Sequence, residues 1–317
     1  VGHAVQHAQA YSALGMRSAL VPIVSVTSGM STWVVFGGLI LGAAAGVGFG
    51  YALLWAMLLS IVATVVLQEM AARLGIISQK GLAEIIRSEI KNSYFKVVGV
   101  ILILSAIVIG NAAYEAGNIS GGVLGLETIL GNPAIAIGSV VIKVLPILIG
   151  FVAFVLLYIG NYKVLERSLI ILVILMSLAF IITTVLTKPD ISEIFKGAFV
   201  PSFPNDSLLT IIGLIGTTVV PYNLFLHASL VKEKWKRKED LKYAKTDTIV
   251  AVILGGIVSM CIIISAAAIQ KTEVTNAADL ALGLEPLFGS YAKYFLAMGL
   301  FAAGITSAIT APLAAAF

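Results

Sequence analysis

The sequence predicts a polytopic helical membrane protein, and three observations carry that reading. Of the 317 residues, 59% are apolar and only 11% are charged, against about 45–50% and 25% in soluble domains. Mean hydropathy is +1.05. The apolar runs are continuous instead of alternating, which excludes a β-barrel. The same composition excludes a soluble enzyme, a disordered chain and a nucleic-acid module. The single Cys excludes a disulfide framework or a Cys-based metal site.

Residues 1–19 read as a polar N-terminal segment. They lack the charged region, short apolar core and small-residue cleavage site of a signal peptide. His3 and His7 stand at i, i+4, a spacing that can hold a metal on a helix, but a solvated segment is the plainer reading. A span needs about 20 apolar residues, and about eight stretches qualify: 20–45, 50–74, 95–118, 134–160, 164–186, 208–230, 248–269 and 292–316. Together they make residues 20–317 one transmembrane domain. The run Ala314-Ala315-Ala316-Phe317 carries no helix stop, so the helix is expected to continue past it.

Positive charge orients the spans. The 2–3 connection holds Arg73, Lys80, Arg87, Lys91 and Lys96, and the 4–5 connection Lys163 and Arg167. The 6–7 connection holds Lys232, Lys234, Lys236, Arg237, Lys238, Lys242 and Lys245. The opposite connections carry only Lys188, Lys196, Lys271 and Lys293. The basic loops and the N-terminus are therefore expected in the cytoplasm, with the chain in the plasma (inner) membrane. The basic stretch 232–245 reads as an anchor beside anionic membrane lipid, with no nucleic acid as partner.

The sixth span carries the most chemistry. Pro221 has no N–H to give, and Gly213 and Gly216 weaken the turns before it. The helix is expected to unwind near residues 217–221 and to free carbonyls at mid-membrane. Such carbonyls are tolerated only where they line a cavity or are buried in protein, and they are how many secondary transporters hold a cation. A simple proline kink is the alternative. In the third span, Asn111, Glu115 and Asn118 share one helical face, and a carboxylate there should point into the bundle. Glu69 reads as an i, i+4 partner of Arg73, and Asp247 as an interfacial residue. His227 reads either as a proton relay or as a packing histidine. Gly46/Gly50 and Gly117/Gly121 have the spacing of close helix packing.

Several stretches resemble the Nramp family of divalent-metal transporters. Residues 216–227, Gly-Thr-Thr-Val-Val-Pro-Tyr-Asn-Leu-Phe-Leu-His, resemble its sixth helix. Phe49 to Trp55 and Leu67 to Gly75 resemble its second, and Phe301 to Pro312 its eighth. The resemblance is collinear over about residues 46–317. It implies a leucine-transporter-like inverted-repeat fold, with a first repeat over about 20–187 and a partial second over about 207–317. Helices 1 and 6 would be broken at the ion site.

The departures from that pattern bear on the substrate. Val220-Pro221-Tyr222 stand where the family has Met-Pro-His, so the soft thioether ligand is missing. Val35-Phe36-Gly37-Gly38 stand where helix 1 has Asp-Pro-Gly-Asn, and no Asp occurs before Asp190. Residues 1–45 either diverge or come from another gene start or reading frame. Glu115 matches the family's Glu, while Ala112 replaces an Asp.

The resemblance thus implies a secondary transporter. Its ion-binding residues would be Thr217, Val220, Pro221, Tyr222, Asn223 and Glu115, with Thr217 and Asn223 as metal ligands and Glu115 and His227 as a proton route. Oxygen donors without sulfur favour Mg²⁺ or Mn²⁺ over soft metals, as in the Nramp-related magnesium transporters that also lack the Met. The ion is substrate, no cofactor is expected, and the unit is expected to be a monomer. The alternatives are a carrier of a small organic solute on the same fold, or a non-transporting relic. No paired carboxylates, Ser/His/Asp set or phosphate-binding Gly loop stands in a soluble segment, so an enzyme is not expected.

Overall fold

The computed structural model describes residues 39–137, 140–159, 163–269, 279 and 281–316. The polar segment 1–19, the motif at 35–38 and most of the first predicted span lie outside the described residues.

A π-helical turn at 39–42 leads into α1 (Ala43–Phe49). After a turn at Gly50, α2 (Leu54–Ser78) runs the depth of a membrane and stops at Gln79, in the left-handed region at φ 55°. The short α3 (Leu82–Glu89) links it to α4 (Ser93–Leu104). Asn92 caps α4 by accepting from the Tyr94 N–H at 2.9 Å. A π-helical stretch, Ser105–Gly110, joins α4 to α5 (Asn111–Leu130) without a break. The third span is therefore longer than the 95–118 read from sequence. Its later glycines do not end it, because they pack. A Cβ on Gly304 would lie 2.6 Å from the Gly122 nitrogen, and one on Gly125 2.6 Å from the Ala297 carbonyl.

The fourth span also departs from expectation. Residues 134–143 form a hairpin, β1 (Ala134–Ile137) antiparallel to β2 (Val140–Lys143), with Ala134 opposite Lys143. Helix α6 (Val144–Ile159) begins only after it. Asn132-Pro133 stops any preceding helix, and Ile135, Val140, Val141 and Ile142 are β-branched residues that suit a strand.

Helix α7 (Lys163–Leu186) is followed by α8 (Ile191–Phe199), turned 119° from it. Then come α9 (Leu208–Thr218), α10 (Pro221–Lys234) and α11 (Leu241–Ala267). A short α12 (Glu285–Phe288) precedes α13 (Ala292–Ala316), which matches the predicted eighth span. Among the described residues, five helical stretches are long and apolar enough to cross a membrane, or six if α7 and α8 count as one.

Two apolar cores hold the bundle. One gathers Leu39, Val123, Ile149, Met176, Ile262 and Leu300. The other gathers Leu53, Met57, Ile211, Leu214 and Ile263. The outer surface is itself apolar: Leu102 and Phe151 are 64% and 63% exposed, as lipid-facing side chains should be.

Candidate ion site at the broken helix

The chain leaves helical geometry between α9 and α10 at two residues only. Val219 has φ −91° and ψ 77°, and Val220 is extended at φ −92° and ψ 120°. Thr217 and Thr218 remain helical, so the opening is narrower than the sequence suggested. Pro221 occupies the first turn of α10, where its missing N–H costs nothing.

The break leaves carbonyls that an uninterrupted helix would satisfy. Ile215 accepts from the Val219 N–H at 2.9 Å. The partner four residues beyond Thr217 is Pro221, which has no N–H, so that carbonyl cannot close its helical bond. A neighbouring hydroxyl takes up one of the other two carbonyls, and a second hydroxyl, already bonded within its own helix, only approaches the other. Tyr114 on α5 donates its O–H to the Gly216 carbonyl at 2.7 Å. Thr64, buried on α2, reaches the Thr218 carbonyl at 3.5 Å and the Ser60 carbonyl at 2.8 Å. On the other side of the gap, the Asn223 N–H donates to the Val220 carbonyl at 3.2 Å. The negative end of α9 and the positive end of α10 thus face one short gap.

The side chains around the gap divide. Val220, Tyr222 and Leu226 are buried in a small apolar cluster with Tyr114, and the Tyr114 and Tyr222 rings meet edge to face at 5.4 Å. Pro221 is exposed and Asn223 half-buried. The Thr217 hydroxyl donates back to the Gly213 carbonyl at 2.8 Å, which leaves its lone pairs for another donor or a cation. Glu115 follows Tyr114 directly. It is half-buried, accepts from Asn118 Nδ2 at 3.4 Å and lies within electrostatic reach of Tyr222. The structure thus brings Glu115, Val220 and Tyr222 to the same turn of the bundle.

His227 is not part of that group. Its Nε2 pairs with the Thr248 hydroxyl on α11 at 2.9 Å. Two turns further along α10, Lys234 meets Asp247 at 3.4 Å. Asp247 is only 6% exposed, covered by protein with the lysine as its partner. Arg73 binds both oxygens of Glu69, at 2.6 and 2.7 Å, and Lys245 lies 4.0 Å from the same carboxylate. Tyr114 and Thr64 were not singled out by sequence reasoning, since their partners are backbone atoms. Among the described residues there is no cluster of three or more His, Cys, Asp or Glu. Among the described residues, the oxygen donors at the gap are backbone carbonyls, hydroxyls and the Asn223 side chain, with Glu115 beside Tyr114.

The Nramp profile, natural resistance-associated macrophage protein-like, matches residues 37–317. The chain belongs to the Nramp family. It is 33% identical over 290 residues to a divalent metal cation transporter MntH of Bradyrhizobium diazoefficiens, covering 86% of this chain and 61% of that protein. It is 32% identical over 285 residues to a natural resistance-associated macrophage protein 2 homolog of Dictyostelium discoideum, covering 85% of this chain and 43% of that one. A crystal structure of the Eremococcus coleocola manganese transporter superposes with a TM-score of 0.66 at 20% identity, covering 94% of this chain and 65% of that one. The fold is thus that of Nramp transporters, of the leucine-transporter-like type, and the chain spans about three-fifths or less of these curated relatives.

A second profile, of neutral zinc metallopeptidases, matches residues 1–72 and overlaps the Nramp match over 37–72. The described part of the overlap belongs to the bundle. A Cβ on Gly46 would lie 2.2 Å from the Ile263 carbonyl of α11, and Leu53 and Met57 are buried in the second core. Of the two profiles, only the peptidase one reaches residues 1–36, which include His3 and His7.

Proposed function

We propose that residues 37–317 form part of a secondary transporter that passes a divalent cation through the gap between α9 and α10. The observation that carries this is the Thr217 carbonyl, denied its helical partner by Pro221 and preceded by a Gly216 carbonyl already held by the Tyr114 hydroxyl from α5. The ion-binding set is Thr217, Val220, Pro221, Tyr222, Asn223 and Glu115, with direct oxygen ligation from Thr217 and Asn223. Glu115 supplies the nearby negative charge, and Glu115 and His227 form the proton route. The printed names of the relatives, divalent metal cation and manganese transporters, support the substrate class.

Within that class we favour Mn²⁺ or Mg²⁺ over soft metals. A carbonyl and amide site matches hard cations, and Mg²⁺ keeps several waters in place of protein ligands. Residues 20–187 and 207–317 are read as a first repeat and part of a second. The protein is placed as a monomer in the plasma (inner) membrane with a cytoplasmic N-terminus, its basic loops beside anionic lipid. The scarcity of acidic groups at the described gap favours one other reading, a carrier of a small organic solute. Uptake by the full-length protein in proteoliposomes separates the two. Movement of Mn²⁺ or Mg²⁺ supports the first, and failure to move any divalent cation hands the lead to the second.

A further inference from the structure

Helix α8 divides into three sectors with three kinds of surroundings. At about 100° per residue, Ile194, Gly197 and Ala198 share one sector, and they face protein: Gly197 and Ala198 are buried and Ile194 packs in the second core. Gly197 is there because a Cβ would lie 2.1 Å from the Tyr51 carbonyl. Ile191, Phe195 and Phe199 share the next sector and are 59%, 61% and 67% exposed. Phe195 and Phe199 stack at 6.1 Å. Ser192, Glu193 and Lys196 share the third and are exposed, with Lys196 and Glu193 paired at 3.6 Å. Going round the helix, the order is protein, bare aromatic, charged.

The connection fixes the direction of this helix. α7 ends at Leu186, Lys188 takes a left-handed conformation at φ 46°, and Asp190 caps α8 by accepting from the Ser192 N–H at 2.8 Å. The resulting 119° turn lays α8 across the end of a span, so that it does not continue through the membrane. Beyond α8, Phe203 is also bare, 68% exposed, and packs on Trp55 at 5.1 Å. The Trp55 Nε1–H donates to the Ser202 carbonyl at 3.0 Å, and the Ser202 hydroxyl to the Ala52 carbonyl at 3.0 Å.

A bare aromatic sector between a buried one and a charged one is what a helix lying in a membrane interface needs. Aromatic rings favour that depth. We propose that α8 is an interfacial anchor whose Ile191–Phe195–Phe199 row, continued by Phe203, rests in the boundary between lipid headgroups and acyl chains on the side opposite the basic loops. Through Gly197, Ser202 and Trp55 it ties that boundary to the start of α2 and, nine residues on, to α9. The inference rests on the membrane reading of the chain but not on its cargo.

The test is spin-label accessibility on the full-length protein in liposomes of phosphatidylcholine and phosphatidylglycerol, with native thiols, Cys261 among them, removed. Labels go on Phe195→Cys, Phe199→Cys, Ser192→Cys and, as a lipid-facing control on α4, Leu102→Cys. The ratio of oxygen to nickel-complex accessibility at 195 and 199 should exceed that at 192 by about threefold or more. If 195 and 199 match 192, the row faces water and the anchor is wrong. If they are closed to both reagents, another part of the protein covers the row, and the anchor is wrong again. A control at 102 that reads as aqueous overturns the membrane reading itself.

Discussion

The gap between α9 and α10 and the basic-loop end of the same bundle are both polar, and they are built from opposite materials. At the gap, neutral hydroxyls of Tyr114 and Thr64 approach backbone carbonyls, and Glu115, next to Tyr114, accepts from an amide. Lower down, charge meets charge: Lys234 with Asp247, and Arg73 and Lys245 with Glu69. The difference teaches where mobile charge can be received. A neutral gap has its dipoles in place and no counter-ion to displace. A paired site is already neutralised, and a cation entering it would have to break a salt bridge. The charged cluster therefore holds α2, α10 and the start of α11 together, and the gap is where the proposed cation would be received.

Four substitutions can break or sharpen that contrast. The largest effect should come from Pro221→Ala, which restores an N–H that Thr217 can use and lets the helix close. Cation uptake by the full-length protein should fall about tenfold or more, while the melting temperature changes little, since Pro221 stands in the first turn of α10, where its missing N–H costs nothing. Unchanged uptake would mean that the freed carbonyl is not on the path. Asp247→Ala should act on stability instead. Removing one member of a buried pair costs about 3–5 kcal/mol, reduced here because Lys234 is 29% exposed. A lower melting temperature in detergent, with the Mn²⁺-to-Cd²⁺ preference unmoved, is the expected result.

Tyr114→Phe keeps the ring against Tyr222 and deletes one hydrogen bond, worth about 1 kcal/mol. The Gly216 carbonyl is then released into the gap, and the change should appear in the uptake KM by a few-fold with little loss of folded protein. An unaltered KM would assign the tyrosine to packing alone. The smallest effect is expected from Arg73→Ala. Its side chain is half exposed, and Lys245 stays 4.0 Å from the buried Glu69 carboxylate it leaves behind, so the loss should be about 1 kcal/mol and the melting temperature should fall less than for Asp247→Ala.

Much of this was legible in the residues. The break follows from Pro221 and the two glycines before it, and the predicted span 292–316 coincides with α13. The Glu69–Arg73 pair is visible because both ends lie on one helix turn. The hairpin at 134–143 was not, since a short β-branched apolar run has the same hydropathy as a helix end. The Lys234–Asp247 pair was not legible either, because its two ends lie 13 residues apart on different helices. Tyr114 escaped notice for a related reason: what it binds is a backbone carbonyl 102 residues on, and no side-chain pattern records that.

The most direct test of the central claim is selectivity at the gap. Val220 is 5% exposed in the cluster with Tyr114 and Tyr222, where the thioether of related transporters would offer sulfur. Uptake of Mg²⁺, Mn²⁺ and Cd²⁺ should be compared in proteoliposomes of the full-length protein, as wild type and as Val220→Met. Methionine there costs about 1–3 kcal/mol of overpacking, so folded fraction must be measured alongside. An oxygen-only site predicts that the wild type prefers Mn²⁺ or Mg²⁺ to Cd²⁺, and that Val220→Met raises competition by Cd²⁺. A wild type that already prefers Cd²⁺ would contradict the account.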